Sequence, residues 1–200
     1  VMSTLFSVPG GVGKGRGLWV AEDESQVYVS GGIRLLGWRP EEGLSTVASG
    51  FEGLGNLAVL PTGELLVADR KAHLVYLIDR KTGLKSEIAG NGLRHGGGSG
   101  SPALETGLNE VRGVWPHPRG GFFVATHEGG QIWYVDSEGI IHLFLDGDAD
   151  KAHGGDQQPF NSPGKKISKP RSVTMDDAGN IIVTENDAGF VRVVHCLEAI

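Results

Sequence analysis

The chain has 200 residues, a net charge of −6, 33 glycines and a single cysteine, Cys196. That length suffices for one well-buried core, and the acidic balance argues against a nucleic-acid surface. No apolar run reaches membrane-spanning length, no stretch reads as a signal peptide, and one cysteine excludes an internal disulfide.

The glycines lie between apolar runs rather than in one tract, which predicts many short strands joined by tight turns. In chain order, Val1–Val8 reads as a strand and PGGVGKG as a loop. Unit one covers roughly residues 16–50 as RGLWVAED, SQVYVSGG, IRLLGWRP and LSTVASG. Unit two, about 53–89, holds GNLAVL, a Pro-Thr-Gly turn, ELLVAD, LVYLID, a Lys-Thr-Gly turn and LKSEIA. A Gly-rich insertion (90–108) leads to unit three, about 109–146, with VRGVWPHP, GFFVATHE, QIWYVD and GIIHLFLD. A second insertion (147–169) leads to unit four, about 170–197, with PRSVTMDD, NIIVTEND and FVRVVHCL.

These units repeat one pattern. The first turn recurs as PTGE, HPRGG and DDAGN, and the second strands align as VYVSG, LLVAD, FFVAT and IIVTE. Several runs are apolar on both faces, as expected for sheets sandwiched between neighbouring sheets. Helical periodicity is absent. Radially repeated four-stranded antiparallel sheets describe an all-β propeller, here a single domain over 1–200. Unit four lacks a fourth strand, and Val1–Val8, similar to LSTVASG and LKSEIAG, is the candidate to complete it and close the ring.

GNLAVLPTGELLVAD with LVYLID and SEIAGNG, and KPRSVTMDDAGNIIVTENDAGFVRVV, resemble the NHL-repeat β-propellers. The resemblance covers nearly the whole chain: close in units two and four, looser in unit three, where Thr126 replaces the Asp, and loosest in unit one, where Gly31 does. Family members commonly have six blades. Four units therefore imply a closed small ring, blades outside this chain, or copies that pair to complete a ring. An exported location follows from the resemblance alone.

One set of positions carries the binding expectation. Aligning the first strands places Arg16, Asn56, Arg112 and Arg171 in register before the apolar step, as a ring near one mouth of the channel. Guanidinium forks suit carboxylates, sulfates or phosphates, so this ring predicts an anionic or acidic saccharide ligand; the competing use is bonding to blade carbonyls and to Asp69 and Glu185. The insertions share His95-Gly96-Gly97 and His153-Gly154-Gly155-Asp156, which should project on one face. These histidines with Asp148, Asp150 and Asp156 could bind a divalent metal, though the spacing matches no dedicated motif. His127 could face the same mouth or solvent. Asp69 and Glu185, ending second strands, read as acceptors for backbone N–H groups. Trp19, Trp38, Trp115 and Trp133 read as packing between blades.

No nucleophile elbow, reactive-cysteine context or phosphate loop is present. The favoured reading is a binding scaffold without a cofactor, for a protein or a small anionic or saccharide ligand. The alternative, implied by the resemblance, is a metal-dependent hydrolase or lyase of the gluconolactonase-like or amidating-lyase-like type.

Overall fold

A computed structural model describes residues 2, 4–8, 11, 13–150, 153–185 and 189–195. Cys196 and the end of the fourth unit lie outside these residues.

The chain forms a β-propeller of four antiparallel blades. Blade one is β1 (Gly15–Val20), β2 (Val27–Gly31), β3 (Arg34–Arg39) and β4 (Gly43–Ser49). Blade two is β5 (Leu54–Val59), β6 (Leu65–Asp69), β7 (Leu74–Ile78) and β8 (Lys85–Ala89). One turn of 3-10 helix, Ala103–Glu105, lies in the first insertion. Blade three is β9 (Val111–Pro116), β10 (Phe122–Thr126), β11 (Gln131–Val135) and β12 (Ile141–Leu145). A short parallel pair, β13 (Gly147–Asp148) and β14 (Ile167–Ser168), brackets the second insertion. Blade four is β15 (Pro170–Met175), β16 (Ile181–Glu185) and β17 (Phe190–Val194).

The repeated turns close as their residue types require. Gly63 takes φ +88° in the Pro-Thr-Gly turn, where its N–H donates to Leu60 O at 2.8 Å. In the Asp-Asp-Ala-Gly-Asn turn, Asp176 Oδ1 accepts from the N–H groups of Ala178 and Asn180.

Three apolar layers form the core, one between each consecutive pair of blades. Tyr28 and Leu35 meet Leu57, Leu65 and Val67 between blades one and two. Leu66 and Val75 meet Val111, Val114 and Val124 between two and three. Phe123 and Ile132 meet Val173 and Val183 between three and four. β6 and β10 are buried at every residue because both of their faces are covered. The inner strands approach so closely that a side chain would not fit at some positions. A Cβ on Gly55 would lie 2.8 Å from Arg112 O, and one on Gly113 would lie 2.9 Å from Ser172 Cα.

The two end blades differ from the middle ones. Strand pairing makes Leu18, Leu57, Val114 and Val173 equivalent, opposite Val29, Val67, Val124 and Val183. Leu57, Val114 and Val173 are buried against the preceding blade, whereas Leu18 is 66 % exposed. On the far side of blade four, Val191 and Val193 are 67 % and 46 % exposed. At Leu18 blade one lacks the cover that a preceding blade gives, although Val27 and Leu36 on the same face are buried, and at Val191 and Val193 blade four lacks the cover of a following one.

The expected closing segment, Val1–Val8, lies partly outside the described residues. Of it, residues 2 and 4–8 belong to no strand, and among the described residues blade four has three strands. The Phe6 ring instead stacks on Trp38 of blade one, with centroids 6.4 Å apart.

The close approach at Gly113 is testable. Gly113→Ala should lower stability by about 1–3 kcal/mol, the range for overpacking against atoms that cannot move aside. Gly154→Ala, whose Cβ would meet nothing nearer than Lys165 O at 3.7 Å, should leave the urea midpoint unchanged.

Candidate ligand-binding mouth

The pairing between first and second strands skips at the same step in every blade. It shifts between Gly15 and Gly17, Leu54 and Leu57, opposite Ala125 and Thr126, and between Pro170 and Ser172. The residues thrown out of the ladder are Arg16, the pair Gly55–Asn56, Arg112 and Arg171. Such bulges re-aim side chains, and here they turn guanidinium groups toward one another. Arg16 is held below the usual arginine range, first by partial burial and then by the charges of Arg70, Arg112 and Arg171.

This register corrects one expectation. Gly55, not Asn56, is in step with the three arginines; Asn56 matches Gly17, Gly113 and Ser172. The spacing is the same in all four blades, two residues between the first paired position and the apolar step, so aligning on Leu18, Leu57, Val114 and Val173 gives this register directly. Asn56 Oδ1 accepts from the N–H of Leu57 at 2.8 Å, so the side chain serves its own strand. The fourth guanidinium comes from Arg70, just past β6.

Lead-in residues complete the mouth. Glu110 and Lys169 each precede a bulged arginine by two residues, and both take positive φ, +62° and +43°. In blade two the acid ending the second strand fixes the lead-in segment: Asp69 accepts from the N–H groups of Glu52 and Gly53 at 2.8 and 2.9 Å. In blade four Glu185 accepts from Ser168 N–H at 2.8 Å. Blade three has Thr126 there, and its lead-in is held otherwise. His127 N–H donates to Glu110 O at 2.9 Å, and Glu110 N–H donates to His73 Nδ1 at 3.0 Å.

The Glu110 carboxylate is the centre of an ion cluster. Its Oε1 accepts from Arg70 Nη1 at 2.5 Å and from Arg112 Nη2 at 2.9 Å, and its Oε2 lies 3.3 Å from His127 Nδ1. His127 Nδ1 is also 3.1 Å from Glu128 Oε1, which lies 3.7 Å from Lys169 Nζ. Burial opposes ionisation of Glu110, but the bond from Arg70 and the charge of Arg112 outweigh it and hold the carboxyl below its ordinary range. His127 is pushed down, first by burial and then by Arg112, against the pull of Glu110 and Glu128. A neutral imidazole between two carboxylates carries its proton on Nδ1, where both acceptors lie, and leaves Nε2 with a lone pair.

Five buried side-chain N or O atoms lack a partner among the described residues, and three sit in this cluster: Arg70 Nε, Arg112 Nε and His127 Nε2. Buried polar atoms are nearly always satisfied, so this concentration marks a place where the protein does not supply its own partners. Arg16 and Arg171 are exposed, and neither has a side-chain hydrogen-bond partner among the described residues. Donor atoms of Glu110, His127 and Glu128 lie within 4.8 Å of one another, a set that suits a divalent metal by type. Charge opposes it. The guanidinium groups of Arg70 and Arg112 already compensate Glu110, and a dication would face both, so the fit is poor.

The insertion residues are placed elsewhere. His95 is exposed, and its carbonyl accepts from Asn91 Nδ2 at 3.1 Å. Arg192 of β17 ties down the second insertion: it lies 2.9 Å from Asp156 Oδ1 and 3.1 Å from His153 Nδ1, and donates to Gly154 O at 2.8 Å. The His153 ring stacks on Phe190 at 3.9 Å. Among the described residues, His95, His153, Asp148, Asp150 and Asp156 form no metal-ligating group. Of the expected set, Arg16, Arg112 and Arg171 converge. Arg70, Glu110, Glu128 and Lys169 join them unforeseen, though their fixed offsets from the repeat strands were a readable signal.

No family model matches the chain, and no curated protein matches it by sequence. Its likeness is to solved β-propeller structures. One is a structural-genomics protein of unknown function from Bacteroides thetaiotaomicron: TM-score 0.75, 14 % identity, 90 % of this chain and 47 % of that one. Another is a virginiamycin B lyase from Staphylococcus aureus: TM-score 0.61, 14 % identity, 94 % of this chain and 57 % of that one. A third is an auxiliary nutrient binding protein from Bacteroides thetaiotaomicron: TM-score 0.66, 11 % identity, 88 % of this chain and 46 % of that one. The chain thus spans about half the length of these proteins, and the likeness shows the fold alone.

The ion cluster sets an acid limb on stability. Because the folded Glu110 carboxyl titrates below its unfolded value, its contribution is full above about pH 4.3 and is lost as pH falls through the depressed folded value. His127, also depressed, contributes fully above about pH 6.5 and loses that contribution as pH falls through its own folded value. Glu110→Gln should therefore lower the urea midpoint at pH 7 and flatten its fall toward pH 3. An unchanged acid limb would place the loss elsewhere.

Proposed function

We propose that this chain is an NHL-type propeller that binds a small anionic ligand at the mouth formed by Arg16, Arg70, Arg112 and Arg171. The observation that carries this reading is the surplus of donors. Four guanidinium groups converge around one directly paired carboxylate, Glu110; two Nε–H groups are buried without acceptors, and Arg16 and Arg171 lack side-chain partners among the described residues. Like charges gathered this closely favour an anion among them, and guanidinium forks bind carboxylate, phosphate or sulfate in bidentate fashion. A carboxylated saccharide fits the same chemistry. The likeness to an auxiliary nutrient binding protein is compatible with a ligand-binding role.

A metal-dependent hydrolase or lyase is the second reading, favoured by the Glu110–His127–Glu128 grouping and by the likeness to a virginiamycin B lyase. The guanidinium groups on Glu110 weigh against it.

Titration calorimetry with inorganic phosphate and with a uronate tests the first reading. Binding should weaken as ionic strength rises. The Arg16→Ala/Arg171→Ala double variant, altered only at exposed positions, should raise Kd at least about tenfold, since each hydrogen bond between charged groups contributes about 1.5–3 kcal/mol. Equal binding by the double variant would overturn the assignment of these residues.

A further inference from the structure

Three side chains converge on the Glu110 carboxylate. Arg70 and Arg112 donate to its Oε1, and His127 Nδ1 lies 3.3 Å from its Oε2. These contacts use one Nη of each arginine and one ring nitrogen of the histidine. Arg70 Nε, Arg112 Nε and His127 Nε2 are buried and have no partner among the described residues. The two arginine atoms are donors, whereas the histidine atom is an acceptor, so the three need different partners.

His127 belongs to the mouth by register. It stands one residue past β10, as Arg70 stands one residue past β6, and the side chains of both reach Glu110. Its side chain is only 5 % exposed. Glu110 and Glu128 lie on the Nδ1 side of the ring, at 3.3 and 3.1 Å. They hold the proton on Nδ1, which leaves an unshared pair on Nε2, on the other side of the ring from both carboxylates.

A bare anion answers the arginines but not the histidine. A fully ionised carboxylate or sulfate accepts hydrogen bonds and has no proton to donate, so it would leave Nε2 unpaired and set a second lone pair against it. An ammonium group would donate to Nε2, but it would stand beside Arg112, whose charge already acts on His127. An amide N–H donates, yet its nitrogen offers no lone pair to an arginine Nε–H. A neutral hydroxyl does both: its proton goes to Nε2, and its oxygen accepts from a guanidinium.

We propose that the ligand of the mouth is a hydroxylated anion of the sugar-acid class, with its carboxylate held by the guanidinium groups and one hydroxyl donating to His127 Nε2. This rests on the anion-binding reading above and adds a second recognition element of opposite polarity. The arginines select charge, and His127 selects a hydroxyl beside it.

Calorimetry on the full chain with three probes tests the assignment. The probes are glucuronate; cyclohexanecarboxylate, which has a six-membered ring and a carboxylate but no hydroxyl; and sulfate, which carries no proton at neutral pH. Glucuronate should bind at least about tenfold more tightly than cyclohexanecarboxylate, because the latter leaves a buried acceptor unpaired. His127→Asn keeps an N–H for the carboxylates and offers nothing in place of Nε2, so it should bring the two affinities within about threefold of each other. In the unaltered protein the nitrogen resonance of His127 Nε2 should move upfield with glucuronate and stay in place with sulfate, a readout that depends on no variant folding. Equal affinity for the two carboxylates would overturn the inference, as would a preference that survives His127→Asn; binding of sulfate would in either case still support the anion-binding reading. Failure of all three probes to bind would overturn that reading and this inference with it.

Discussion

A blade of this protein cannot bury itself. Each sheet is covered only by the sheets on either side, so stability is a matter of which faces have neighbours. The equivalent residues Leu18, Leu57, Val114 and Val173 state the rule most plainly. The last three, each with a preceding blade, are buried at 3 %, 0 % and 1 %, and the first, without one, is 66 % exposed. Identical chemistry at one register position gives opposite burial because of blade order alone. The same constraint explains why β6 and β10 are buried at every residue while β17 leaves Val191 and Val193 exposed.

The mouth is a by-product of how blades are joined. A chain leaving an outer strand must cross to the axis and turn into the next inner strand, and the crossing ends in a bulge. That bulge throws one residue out of the ladder, and the lead-in before it needs its N–H groups held. Blades two and four use a carboxylate at the end of the second strand for that task. Blade three, with Thr126 in that place, holds its lead-in through His127 and His73 instead, and the acid moves to Glu110 in the lead-in itself. A carboxylate that would have been spent on backbone N–H groups becomes available to Arg70 and Arg112.

Much of the architecture was legible in the sequence because its signals are local. Pro-Thr-Gly and Asp-Asp-Ala-Gly-Asn specify turns by themselves, and the apolar runs between them have strand length. The arginines were legible as well, since they stand at one offset from each apolar step. Asn56 was placed one step off: counting two residues back from Leu57, as the arginines stand two back from Leu18, Val114 and Val173, gives Gly55, and Asn56 itself matches Gly17, Gly113 and Ser172. The Glu110 cluster was hidden for another reason. Arg70, Glu110 and His127 are far apart in the chain and meet only after blades two and three have packed. The N-terminal segment has a fourth strand's pattern, yet its described residues, 2 and 4–8, form no strand, and Phe6 lies on Trp38 of blade one.

The residues at the mouth fall into two mechanical classes. Arg70, Arg112, Glu110 and His127 come from blades two and three, whose shared interface is buried on both flanks, and their mutual distances are fixed by that core. Arg16 and Arg171 come from blades one and four, whose outer faces leave Leu18 and Val191 exposed. The two middle blades hold the carboxylate and imidazole in place, and the end blades bring Arg16 and Arg171 to the same mouth at exposed positions.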